Sequence, residues 1–482
     1  MNAATQVASA TETAPVDLQG LVDDLVLRVA DLDWTVLDPA TRATTRALVL
    51  DALGLAAAAP AAPSLVATAE AQRRLSGTPA PGTGVHVPFV GDVAGPADAA
   101  AALSVAIHAW DFDDTHDEAV VHTACVALPA ALAVAQEAGA DGRRVLEGVL
   151  AGVEVLSRLS LAIGPQPGVI RTAGLGGLAA AAAAGRVLGL TPQRMAAALA
   201  LALPSALAPT SRQVVSDGAV NKRHQPSVAV HAGVSAAYLA AAGVDGPPGW
   251  WSGEHGLVRA VANSDAAAEH LSVPGWELDR VSLKPIPACR YAHAAVTGVL
   301  VLTGAEPVAP DDAPDVEVHL PVGSTHVMVA RPFERRGLPI VDAQFSVPWL
   351  VAAALLRGGV GLTEMTADVL LDPDIERVAR DRVRVVQDQD AGRGVMTPVV
   401  VHAAGRSVVV DQLPGSPARP LTPEQQQTKL RGCLVVAGRP AGEARILTAL
   451  VADLEHEPAA TLGATLRAAT PAQPNPPAGG TR

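Results

Sequence analysis

At 482 residues with 49% hydrophobic side chains, the chain can bury sizeable cores, and its length suits about two or three domains. A net charge of -13 without any clustered Lys/Arg footprint leaves nothing for nucleic acid or an anionic membrane to bind, so neither is expected as a partner. Aromatic residues make up only 2%, and Ala, Val and Leu supply most of the apolar content, which favours helices packed through small side chains over a β-sandwich.

Residues 1–16 are polar and Ala/Thr-rich, without the basic and apolar regions of a signal peptide, and are expected to be disordered. From Leu18 the apolar positions Leu21, Val22, Leu25, Val26 and Val29 follow helical spacing, and the pattern recurs after Pro39, Pro96, Ser104, Pro129 and Asp141. A further helix runs from near Thr172 to Gly189, and the next starts at Thr191-Pro192 with Thr as N-cap. Ser227 to Ala241 is again helical. The longest apolar runs, such as Gly174–Ala184, are too short to span a bilayer. Cys125, Cys289 and Cys433 are too scattered for disulfides or a metal site and read as small core residues of a cytoplasmic protein.

The texture changes near Leu283. Asp315–Leu320 alternates polar and apolar residues, as does part of the stretch to Val329, and 398–402 and 407–410 flank Gly405-Arg406 like a hairpin. Helical spacing returns from Thr422 to Leu454. The reading is a mainly α protein: a helical domain from 17–282 and 412–465, a smaller α/β lid domain inserted at 283–411, and a disordered tail at 466–482.

Three clusters carry candidate chemistry. His108-Ala-Trp-Asp-Phe-Asp-Asp-Thr-His-Asp-Glu118 places two histidines and five carboxylates beside apolar helices, where general acid–base groups with shifted pKa values arise; the bland reading is a solvated, capped helix end. Within it, Asp113-Asp-Thr-His-Asp117 also fits the D-D-x-x-D pattern that holds magnesium against a diphosphate. Asp217 to Pro226 offers Lys222, Arg223 and His224 just before a helix, suited to carboxylates or to a plain surface loop. Lys284-Pro-Ile-Pro-Ala-Cys-Arg-Tyr-Ala-His293 stands at the domain border, either a pocket wall or a stiff linker. No dinucleotide fingerprint, Walker A, His-Glu-x-x-His or nucleophile elbow is present, so the chemistry is expected from side chains alone, with no cofactor and no metal.

Taken in order, these pieces resemble the MmgE/PrpD family, whose members include 2-methylcitrate dehydratase, cis-aconitate decarboxylase and iminodisuccinate epimerase. The match continues through His122, Leu128-Pro-Ala-Ala131, His231-Ala-Gly233, Gly253-Glu-His-Gly256, Phe345-Ser-Val-Pro348 and Lys429-Leu-Arg-Gly-Cys433. The resemblance implies a homodimeric, cofactor-free lyase or isomerase that moves a proton beside a carboxylate of a small polycarboxylate-like substrate. It implies Asp111, Thr115, His122 and Lys222 as catalytic residues. His108, Arg223, His224, Arg290, Tyr291, Gln166 and Arg171 are the candidate substrate contacts.

The sequence also departs from the family. Gly164–Thr172 has no histidine where relatives carry one, Gln225 stands where His is common, and Trp349 stands where Tyr is common. These changes point away from methylcitrate and cis-aconitate and towards a one-base reaction. A binding-only homologue and magnesium-dependent diphosphate chemistry at Asp113–Asp117 are the alternatives.

Overall fold

Helix starts follow the expected capping chemistry. Asp38 accepts from the backbone N–H groups of Ala40 and Thr41, both at 2.9 Å, and Pro39 opens the Pro39–Ala58 helix. Asp141 caps Gly142–Ile163, and Thr191 caps Pro192–Ala202. This computed structural model describes residues 17–62, 65–77, 79–80, 82–166, 168–207, 211–261, 268–336, 339–389 and 396–472. The expected disordered stretch 1–16 and the last residues, 473–482, lie outside the described residues.

The protein is mainly α. Two expected helix starts are not separate helices: Ser104 lies inside Pro96–His108, and Pro129 lies inside Ala124–Ala138. Pro129 forgoes one backbone bond there, and the burial of every residue from Ala124 to Ala135 offsets it. At the centre is Arg171–Val187, buried along its whole length and packed against Gly142–Ile163 and Gln225–Ala241. Small residues make that approach possible: a Cβ on Gly233 would lie 2.2 Å from the Gly177 carbonyl oxygen.

Four strands form the main sheet in the order Val383–Asp388, Val316–Pro321, Val399–Ala403 and Arg406–Val410, the first pair parallel and the others antiparallel. Val316, Val318 and Leu320 alternate inward beside Val399, Val401 and Ala403, as period-2 patterning requires. The helices His293–Thr303 and Val347–Arg357 cover this sheet. The expected hairpin forms, but its turn is Ala404-Gly405, at φ 50° and 70°, one residue before the expected Gly405-Arg406, since Arg406 already pairs with Ala403. The alternation read towards Val329 stops at Pro321, because Gly323 at φ 89° turns the chain into the short helix Ser324–Val329.

The C-terminal helices return to the first. Pro423–Val436 packs on Pro39–Ala58 with Leu430 against Gly54. Ala459–Ala469 packs on Ala124–Ala138, running past the boundary at 465 read from the sequence. Leu466 is buried, and Thr470 offers its carbonyl and hydroxyl to His86 Nε2 at 3.0 and 3.2 Å. A two-stranded ladder pairs Thr115 with Ser282 and His116 with Val281, tying the acidic stretch to the entry of the mixed region.

Candidate active site

The Pro96–His108 helix ends at His108, and three residues on the chain turns through Asp111 at φ 52°, a left-handed conformation unusual for Asp. Three cations hold it there. Lys284 Nζ donates to the Asp111 carbonyl and to Oδ1, both at 2.9 Å, while Lys222 Nζ and Arg223 donate to Oδ2 at 3.0 and 3.1 Å. Burial alone would raise the Asp111 carboxyl, but Lys222, Lys284 and Arg223 outweigh it and hold the group well below the usual carboxylate range.

A second chain of contacts fixes both histidines. His108 donates from Nδ1 to Asp113 at 2.9 Å and accepts from Lys222 Nζ at Nε2, 3.2 Å away. His122 Nδ1 lies 2.8 Å from the Asp114 carbonyl, which can only accept, so the proton is on Nδ1 and the lone pair on Nε2. That Nε2 stands 3.8 Å from Asp111 Oδ1. Burial, with Lys284, His108 and Lys222 nearby, pushes the His122 imidazole down to about 3, so it is neutral at pH 7. Asp114 accepts from Thr123 N, Thr123 Oγ1 and Ala124 N and so caps Ala124–Ala138; burial and Asp113 push its carboxyl up to about 7.

The sequence-derived candidates divide when the cavity is considered. A cavity of about 140 Å³ has Asp111, His122, Lys222, Gln166, Arg171 and Tyr291 on its wall, with apolar cover from Val169, Met328 and Phe345. His108 supports Lys222 from behind. Thr115 is buried off the wall, its hydroxyl without a partner. Arg223 reaches Asp111 and the Gln344 side chain, and His224 meets Thr68 instead. Arg290 is held by Asp117 at 3.1 Å and the Pro414 carbonyl at 2.9 Å.

Sequence reasoning missed Arg212, Thr172 and Cys289 on the same wall. Thr172 Oγ1 accepts the His122 backbone N–H at 3.0 Å, and burial pushes the Cys289 thiol up to about 11. A larger, more open groove of about 630 Å³ lies along the sheet edge, but its charges pair with one another, Arg382 with Asp315 and Arg384 with Glu317. No comparable set of convergent, partly free polar groups faces it.

His108, Asp111, Asp113 and His122 bring one donor atom each within 4.8 Å of one another, a grouping able to hold a metal ion. The ammonium groups of Lys222 and Lys284 lie in its acceptor directions, and His108 uses both ring nitrogens. The donor set is matched to organic cations. The carboxylates of the D-D-x-x-D pattern diverge: Asp113 goes to His108, Asp114 to Thr123, and Asp117 to Arg290 and Ser282. They do not share the single face that a magnesium diphosphate needs.

The MmgE/PrpD N-terminal domain matches residues 23–270, and the MmgE/PrpD C-terminal domain matches residues 286–454. The chain belongs to the MmgE/PrpD family. A cis-aconitate decarboxylase of Aspergillus terreus is 28% identical over 319 residues, and one from Aspergillus terreus strain NIH 2624 / FGSC A1156 is 27% identical over 319. Each match covers 60% of this chain, and the chain spans 64% of the length of these curated relatives. Among the described residues no helix is long and apolar enough to cross a membrane.

Proposed function

We propose that this MmgE/PrpD protein is a cofactor-independent lyase or isomerase that moves a proton at a carbon beside a carboxylate of a small polycarboxylate-like substrate. The observation that carries the reading is His122 on the cavity wall beside Lys222, its Nδ1 held by the Asp114 carbonyl so that Nε2 is left to accept a proton. Around Asp111 and Asp113, three cations face two carboxylates, which leaves a positive excess inside an otherwise acidic protein. An anionic substrate supplies the missing negative charge.

In this scheme His122 Nε2 takes the α-proton while its Nδ1–H stays on the Asp114 carbonyl. Lys222 stabilises the enolate-like charge that develops, and Asp111 holds Lys222 in place. Thr115, off the wall, has no role in it. Gln166 does not titrate and Arg171 stays charged, so His122 is the single imidazole on the described wall, and epimerisation or elimination fits better than decarboxylation. The segment 283–411 acts as a lid on the helical body, and the protein is a cytoplasmic homodimer.

Incubation with a panel of di- and tricarboxylates in deuterated water, followed by NMR, tests the reaction. Exchange or loss of a C–H beside a carboxylate is expected, and it should fall at least 100-fold in His122→Ala. Wild-type rates in both His122→Ala and Lys222→Ala would overturn the scheme.

A further inference from the structure

The cavity has a second pole that the proton-transfer scheme does not use. Arg171 opens the 17-residue Arg171–Val187 helix, whose N-cap residue Ile170 gives no side-chain cap. The positive end of this helix therefore faces the cavity through Arg171 and Thr172, both on its wall. An uncapped helix end does not make a site by itself, but three side chains converge with it.

Arg171 is 9% exposed, and among the described residues its guanidinium meets only the Ser160 carbonyl, at 3.0 Å. It has no carboxylate partner. Arg212, half-buried on the same wall, has neither an ion pair nor a side-chain hydrogen bond among the described residues. Tyr291 is 6% exposed and lines the cavity, and among the described residues its hydroxyl makes no hydrogen bond. Both arginines lie close enough to Tyr291 for their charge to oppose the burial that pushes its phenol up to about 12. The phenol is thus a hydrogen-bond donor at neutral pH.

Among the described residues the other buried cations are matched. Lys222, Lys284 and Arg223 share Asp111, Arg158 meets Glu154, and Arg186 meets Glu147. Burying a guanidinium without a counter-charge is unfavourable, because its desolvation is offset only when an anion completes it. One such group, Arg171, with the half-buried Arg212, an N–H-rich helix end and a phenol donor on one small cavity, makes a place for an anion.

We infer that Arg171, Arg212 and Tyr291 form an anion-recognition subsite that selects substrates carrying a second anionic group, with Arg212 its specificity-determining residue. This rests on the proposed function for the first pole: one carboxylate lies beside His122 and Lys222, and the second anion sits between the two arginines. The shared chemistry is a dianion, whether the far group is a carboxylate, sulfonate or phosphonate. A bidentate guanidinium serves all three, and monoanions of the same length leave the subsite empty.

Calorimetric titration of the full chain with succinate, 3-sulfopropanoate, 3-phosphonopropanoate and butyrate at constant ionic strength tests the subsite. At least one dianion is expected to bind tenfold or more tightly than butyrate, and the three arms identify the far group. Arg212→Gln should remove that preference tenfold or more, and Arg212→Lys should restore part of it, with melting of the unliganded variants showing that they fold. No dianion binding, or a preference unchanged in Arg212→Gln, overturns the inference. The two readings fail separately: loss of deuterium exchange with intact dianion selectivity removes the reaction and leaves the subsite. Exchange with a KM indifferent to Arg212 removes the subsite and leaves the reaction.

Discussion

Lys284 grips Asp111 twice, through the carbonyl oxygen and the carboxylate of the same residue, both at 2.9 Å. The double contact fixes a backbone at φ 52° and the charge that organises Lys222. Replacing Lys284 by Met keeps the bulk and removes the cation. We predict that Lys284→Met lowers unfolding free energy by about 1–3 kcal/mol, the cost of leaving the Asp111 carbonyl and Oδ1 without their donor while Lys222 and Arg223 still balance the charge. Urea denaturation measures it, and a midpoint equal to wild type would show that the contact carries no stability.

Acid should destabilise the fold through its buried histidines, with Asp114, pushed up to about 7 and so protonated first in the fold, offsetting part of the loss. His122 stays neutral in the fold down to about 3, and burial also lowers His108 and His293. The unfolded chain takes up protons on these residues below about pH 6.5, so stability falls as pH drops from there, by up to about 1.4 kcal/mol per pH unit for each group. Asp111 and Asp113, held low in the fold, add a further loss below about pH 4, where the unfolded carboxylates protonate. Denaturation at pH 7.5 and pH 5 should show the drop, reduced in His122→Gln. Identical drops in the two proteins would exclude His122 as a source.

The same shift sets the rate profile. A neutral base at pH 5 to 8 predicts that kcat/KM on the identified substrate has no acid limb at the ordinary histidine value of about 6.5. Asp114, at about 7, titrates behind the imidazole while capping a helix, so an inflection there that disappears in Asp114→Asn belongs to the cap. An inflection near 6.5 that survives Asp114→Asn contradicts the assignment of His122.

Arg290 should behave as a scaffold residue. It is buried and tied to Asp117 and the Pro414 carbonyl, away from the cavity wall. Arg290→Ala is predicted to cost about 1–3 kcal/mol of stability by removing a buried guanidinium and its bonds to the partly exposed Asp117 and the Pro414 carbonyl, with KM changed less than twofold. Thermal melting and steady-state kinetics separate the two effects, and a tenfold rise in KM at unchanged stability would place Arg290 in binding instead.

The helical order was legible because capping signals are local: Asp38, Asp141 and Thr191 each sit beside the turn they stabilise. The acidic cluster was legible as a place, but its division of labour was not. Asp113, Asp114 and Asp117 are sequence neighbours that serve His108, a helix end and Arg290. Lys222, Arg223 and His224 looked like one cationic patch, yet they lie at the Val220–Arg223 3₁₀ turn, where successive side chains fan out by about 120°. One meets the cavity, one meets Gln344 and one meets Thr68. Arg212 had no local signal at all, since its role depends on Arg171 and Tyr291 arriving from distant segments.

The approach of Gly233 to Gly177 has a bearing on how such a pocket diversifies. The helix that begins with Arg171 and the helix that follows Lys222 touch backbone to backbone, so the spacing of the two charged poles is set by main chain. The cavity's other walls come from connecting segments, a 3₁₀ turn and the short Ser324–Val329 helix, which supply Gln166 and Phe345, Tyr291, and Met328 respectively. Substitution there can retune which anion fits without moving the frame. A lineage, or an engineer, could exchange substrates by editing loops while the helical frame stays in register.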